Sequence, residues 1–213
     1  MGILARRSTS MNSSEIALAM TGASGASYGL RLLEVLLDAG KNVFLVISDP
    51  ARMVIGIETG LDLPEHPKEI QAMLADRYGA HPRQLAVFGL NEWTTPIASG
   101  SSVPDSFVIC PCSSGTLSAV ATGISDNLLE RAADVILKER RQLILVTREM
   151  PLSTIHLENM LKLSRLGAII MPASPGFYHR PRTIGDMVDF VVARILDHLG
   201  VQHTLIPRWM ESN

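Results

Sequence analysis

Two stretches of small residues carry the chemistry this chain could do: Thr21-Gly-Ala-Ser-Gly-Ala26 and Cys110-Pro-Cys-Ser-Ser-Gly-Thr116. Each breaks an apolar run and is followed by residues at helical spacing, which reads as strand, tight turn and helix start. A turn of Gly22, Ala23, Ser24 and Gly25 lets backbone come close to a ligand. The N–H groups that open a helix lack intrahelical acceptors, so they suit a phosphate or another anionic oxygen. Ser113, Ser114, Gly115 and Thr116 offer hydroxyls and helix-start N–H groups of the same kind, which can hold a phosphate without a lysine. An anionic, nucleotide-like ligand is implied. The alternative is a small-residue turn that only permits close packing, and two such turns in one chain weaken it.

The spacing excludes neighbouring chemistries. The dinucleotide fingerprint needs Gly-x-Gly-x-x-Gly, whereas the glycines here fall at Gly22, Gly25 and Gly29. A Tyr-x-x-x-Lys pair is missing, since none of Tyr28, Tyr78 and Tyr178 has lysine four places on. Cys110 and Cys112 are too close for an easy mutual disulfide, and no third cysteine completes a thiolate metal site. They read as buried small residues at a strand end. Of the histidines, only His198 and His203 are near each other, without a carboxylate motif beside them, so no metal site is expected.

The elements that must position these turns follow from periodicity. Residues 28–40 carry leucines at three- and four-residue intervals and stop at glycine, an amphipathic helix. Residues 42–48 form a β-branched run apolar on both faces, a buried parallel strand. Strand, helix, strand is a right-handed βαβ unit, which places Ser48 at the carboxyl end of the second strand beside the first turn. Residues 49–59 read as a helix despite Pro50, which fits a first helical turn. Helix over 67–78, strand over 84–89, an irregular loop over 91–104 carrying Trp93, and strand over 106–110 follow. A charged helix over 127–141, strand over 143–147, helix over 156–166, strand over 168–171 and helix over 183–199 complete the chain.

At 213 residues with 46% apolar content and a formal net charge of −2, the chain suits one well-buried domain, and neither a nucleic-acid surface nor disorder is indicated. No apolar run reaches the ~18 residues that span a bilayer, and the N-terminus lacks a signal-peptide core. A cytoplasmic protein with no membrane or nucleic-acid partner is therefore expected. Residues 1–14 have no periodicity and read as a flexible tail, leaving 15–213 as a single domain.

The two turns, with Asn127-Leu-Leu-Glu-Arg-Ala-Ala-Asp-Val135, Lys138-Glu-Arg140, Val146-Thr-Arg-Glu-Met-Pro-Leu-Ser153, Ile155-His-Leu-Glu-Asn-Met160 and Pro175-Gly-Phe-Tyr178, resemble the flavin prenyltransferases of the UbiX type. The resemblance runs from about Ile16 to Trp209, with several motifs in the family's order. It implies an α/β, three-layer flavodoxin-like Rossmann fold with a mostly parallel sheet, assembled as a dodecamer with active sites where subunits meet. The implied reaction moves a dimethylallyl group from dimethylallyl monophosphate to N5 and C6 of reduced FMN without a metal. The product, prenylated FMN, would pass to a UbiD-type partner decarboxylase in ubiquinone biosynthesis.

By matching positions, the resemblance assigns FMN to Gly22, Ala23, Ser24, Ser48, Ser113, Ser114, Gly115, Thr116 and Arg148. It assigns the prenyl phosphate to Tyr178 and Arg194, with Arg131 and Lys138 reaching in from a neighbouring subunit. A monophosphate is a poor leaving group, and without a metal its developing charge must be met by guanidinium, ammonium and phenol donors set in advance. Glu149 is the acid/base candidate, with Ser24 as relay; a structural ion pair with Arg148 is the alternative. Glu58 matches a family carboxylate, and Trp93 and Trp209 could face a dimethylallyl cation.

Two other functions remain. A flavin-dependent cysteine decarboxylase shares the fold but needs a histidine in the helix after the second strand, and residues 49–60 have none. A non-catalytic FMN carrier would explain the turns but not Arg131, Lys138, Glu149, Tyr178 and Arg194 together.

Overall fold

The structure, a computed structural model, describes residues 15–207. Six strands form one sheet: β1 (Glu15–Met20), β2 (Asn42–Ile47), β3 (Leu85–Phe88), β4 (Ser106–Cys112), β5 (Gln142–Thr147) and β6 (Ile169–Ile170). Their spatial order is β3-β2-β1-β4-β5-β6 and all five pairings are parallel. With the β3 edge set aside, the remaining five strands stand in the 2-1-3-4-5 order of flavodoxin-like sheets. The helices are α1 (Ala26–Asp38), α2 (Asp49–Thr59), α3 (Pro67–Arg77), α4 (Ser114–Thr122), α5 (Leu128–Lys138), α6 (Thr154–Arg165) and α7 (Ile184–Leu199).

Strand alternation sorts the helices into two layers. Ile16, Leu18 and Met20 point into a core with α1, α2, α3 and α7, to which Leu33, Ile55, Leu74 and Val192 contribute. Ala17 and Ala19 point the other way, where their small side chains admit α4 and α5 through Leu117, Ala132 and Ile136. Arg31 of α1 ties the first layer laterally, donating to Asp189 of α7 at 2.7 Å and to Glu34 at 2.9 Å.

Local signals set most boundaries. Helix α2 begins where the Ser48 hydroxyl accepts the Ala51 N–H and ends at Gly60, whose φ of 69° closes the helix in the left-handed region. The expected stop of the fourth strand at Cys110 is corrected: β4 runs on through Pro111 to Cys112, with a register irregularity against β5 between Ile109 and Cys112. A bulge lets proline sit in a central strand because the ladder is already interrupted there. Cys110 and Cys112 are consequently fully buried free thiols, and burial pushes Cys112 up to about 12 and Cys110 higher still.

Among the described residues, no helix is long and apolar enough to cross a membrane. No group of three or more His, Cys, Asp or Glu side chains could hold a metal ion there either. The expected tail over 1–14 and the candidate Trp209 lie outside the described residues.

Candidate functional site

The strand order reverses between β1 and β4, and the crevice at the carboxyl ends of the strands at such a reversal is where open α/β sheets take ligands. Both small-residue turns border it. Thr21, 3% exposed, clasps them: its hydroxyl donates to the Pro111 carbonyl at 2.8 Å and accepts the Ser113 N–H at 2.8 Å. The Thr21 N–H adds a 3.2 Å bond to Pro111 O. The motif around Thr21 gives this residue no role in the sequence, because its tie to Ser113 spans 92 positions and has no local signature.

The first turn corrects an expectation. Two of its N–H groups, those of Gly25 and Ala26, are not open donors, because the carboxylate of Glu58, from the end of α2, already takes them. Gly25 N–H donates to Oε1 at 3.1 Å and Oε2 at 2.9 Å, and Ala26 N–H donates to Oε2 at 2.8 Å. Burial beside the turn pushes the Glu58 pKa up. The Ser24 hydroxyl, the Gly25 and Ala26 N–H groups and the Arg148 guanidinium outweigh that and hold it below its ordinary value. The glycines of this turn serve packing as well: a Cβ on Gly22 would lie 2.5 Å from the Pro50 side chain, and Gly25 adopts φ 113°.

The second turn is open. The Ser113 hydroxyl caps α4 by accepting the Thr116 N–H at 3.3 Å and donates to the Thr116 hydroxyl at 3.0 Å. The N–H groups of Ser114 and Gly115 have no protein acceptor among the described residues, and a Cβ on Gly115 would meet nothing within 4 Å. An anion can therefore approach this helix start along its dipole without displacing a protein group. Ser48 lies half-buried at the end of β2, its hydroxyl engaged by Ala51.

Two charged groups enter from β5. Arg148 reaches across the crevice to the Ser24 carbonyl, Nε to O 3.3 Å. Glu149 is exposed and accepts the Met150 N–H at 3.3 Å, and no salt bridge to Arg148 is formed. Ser24, Glu58 and Arg148 thus meet at one corner, drawn from three separate elements.

The other candidates lie elsewhere on the chain. Tyr178 and Arg194 share a cleft of about 590 Å³ along the second half of α7, lined by no residue of either turn. Arg131, on α5, donates to Ala98 O at 3.3 Å and pairs with Asp134 at 2.9 Å. Lys138 ends α5 paired to Glu139, close to where a Cβ on Gly100 would stand. Trp93 is 46% exposed on the loop after β3. One chain brings together the turns, Glu58 and Arg148, but not these cations.

The chain matches the family described as Flavoprotein over residues 4–196. It is 60% identical over 198 residues to the flavin prenyltransferase UbiX of Pseudomonas aeruginosa, covering 93% of this chain and 95% of that protein. Among solved structures it resembles AnUbiX in complex with FMN and dimethylallyl pyrophosphate, with a TM-score of 0.83, 40% identity and coverage of 95% and 100%. It also resembles a dodecameric FMN-dependent UbiX-like decarboxylase from Escherichia coli O157:H7, with a TM-score of 0.80, 42% identity and coverage of 92% and 99%.

Proposed function

Because the chain belongs to the flavin prenyltransferases of the UbiX type, within the Flavoprotein family, we propose that it transfers a dimethylallyl group from dimethylallyl monophosphate to N5 and C6 of reduced FMN. The observation that carries this reading is the convergence at the β1/β4 reversal: an open anion cradle at Ser113–Thr116 beside an ionised Glu58 that accepts the Gly25 and Ala26 N–H groups and is faced by Arg148. The donor set fits FMN. Ser113, Ser114, Gly115 and Thr116 would hold its phosphate with unpaired N–H groups and hydroxyls, with Ser48 alongside, and Gly22, Ala23, Ser24 and Arg148 would hold the rest of the flavin.

Reduced FMN supplies the nucleophilic N5 and C6. The protein supplies placement and proton management. Tyr178 and Arg194 hold the prenyl phosphate, with Arg131 and Lys138 reaching it from a neighbouring subunit. They stabilise the charge that grows on the phosphate as its C–O bond breaks. Glu149, free of an Arg148 salt bridge, gives a proton to the departing phosphate and takes the one released from flavin C6. Ser24 and Glu58 hold the flavin edge in register, Glu58 by fixing the Gly25 and Ala26 N–H groups of the turn that carries Ser24. Trp93 and, by the family resemblance, Trp209 are the aromatic candidates to meet the dimethylallyl carbons.

The dodecameric neighbour supports a dodecamer here, with residues 15–213 as one catalytic domain. The two free thiols fit a cytoplasmic setting. The product serves a UbiD-type decarboxylase in ubiquinone biosynthesis.

The test is anaerobic incubation with reduced FMN and either dimethylallyl monophosphate or the pyrophosphate, without added metal, followed by mass spectrometry of the extracted flavin. A flavin heavier by one five-carbon unit with the monophosphate is the expected result, and Glu149→Gln should retain FMN while losing the product. Bound but unmodified FMN would overturn the reading in favour of a carrier or a decarboxylase.

A further inference from the structure

The α7 cleft has a polar chain that the reaction described above leaves without a role. Arg194 Nη1 pairs with Oδ2 of Asp197, three residues on. Oδ1 of the same carboxylate lies 3.1 Å from His203 Nε2. The His203 side chain is only 10% exposed, and its Nδ1 has no hydrogen-bond partner among the described residues. All three residues line the same cleft as Tyr178.

This arrangement is a poor device for stability. The Arg194 and Asp197 side chains are 51% and 40% exposed, and exposed pairs contribute little. Burying an imidazole with one ring nitrogen unpaired is unfavourable. What the chain does well is restrict Arg194. A free arginine side chain loses rotamer freedom when it is fixed, and a carboxylate on Nη1 fixes it before any ligand arrives. The Nε–Nη2 edge stays available, the edge that takes two phosphate oxygens at once. His203, buried against the second carboxylate oxygen, sets the plane of Asp197 and hence of the guanidinium.

We propose that Asp197 and His203 are positioning residues for the prenyl phosphate, presenting Arg194 with one edge pre-aimed into the α7 cleft. This rests on the reading of Arg194 as a phosphate ligand given above. It is tested by varying dimethylallyl monophosphate at saturating reduced FMN, with FMN affinity followed separately by flavin fluorescence. Asp197→Ala raises KM for the monophosphate roughly tenfold and His203→Leu roughly threefold. In both, kcat and FMN affinity stay within about twofold. Asp197→Asn keeps an acceptor for Nη1, and His203→Gln keeps an amide near the carboxylate, so each restores most of the loss. Arg194→Ala serves as the reference. If it raises KM while Asp197→Ala and His203→Leu leave KM at the wild-type value, the positioning role is wrong and Arg194 stands alone. If Arg194→Ala itself leaves KM unchanged, the phosphate reading of Arg194 fails, and the positioning role with it. Loss of FMN affinity in both Asp197→Ala and His203→Leu would mark a structural role and overturn the proposal.

Discussion

Thr21 presents one hydroxyl to two backbone groups on the far side of the β1/β4 crevice, donating to Pro111 O and accepting from Ser113 N–H. Thr21→Val keeps the shape and removes both bonds. Pro111 O still receives the Thr21 N–H, but the Ser113 N–H is left without an acceptor, at a cost of about 1–3 kcal/mol. The expected outcome is a fall in thermal stability with weaker FMN binding, measured by calorimetry and fluorescence titration, while KM for the prenyl phosphate holds. Glu58 acts at the same scale with a pH signature. Its folded-state pKa is depressed, so the stability it contributes is fully present above the unfolded carboxyl value of about 4.3 and is lost as pH falls through the lower folded value. Thermal melts of Glu58→Gln against the parent from pH 3 to 7 should differ near neutrality and converge in acid. A constant difference across that range would rule the linkage out.

Elements differ in how much of their placement is written locally. The limits of α2 at Asp49 and Thr59 could be read from Ser48, Pro50 and Gly60, because caps and stops are matters of neighbouring residues. The continuation of β4 past Pro111 could not, because it depends on a bulge against β5. The filling of the α1 start was equally hidden: Glu58 lies 32 and 33 residues from its donors, and only the packing of α2 beside α1 brings it there. The sequence identified both turns as special but could not tell the filled one from the open one. Helix α1 also meets β4 at close range, where a Cβ on Gly29 would stand 2.4 Å from the Cys110 carbonyl. Gly29→Ala must therefore push α1 off the sheet, and a loss of about 1–3 kcal/mol is expected in urea denaturation, against a small gain had the position been open.

At the scale of the whole molecule, α6 is left with its apolar residues uncovered. Only Leu163 is buried, while Ile155 is 66%, Leu157 53% and Leu161 51% exposed, and Met150 just before the helix is 85% exposed. A patch of this kind marks an interaction surface, and a neighbouring subunit is the partner that the separation of Arg131 and Lys138 from the turns calls for. Ile155→Asp with Leu161→Asp should shift the assembly to smaller species in analytical ultracentrifugation and abolish prenyl transfer, with the subunit still folded by circular dichroism. An unchanged sedimentation profile would remove α6 from the interface.

The carboxylate seated on the start of α1 is also a built-in competitor for that helix start. Glu58 is tethered to the same chain, so its local concentration at those N–H groups is on the order of millimolar or higher, and its negative charge repels a second anion. Free anions are therefore kept from the start of α1, and the Ser113–Thr116 turn is left to receive them.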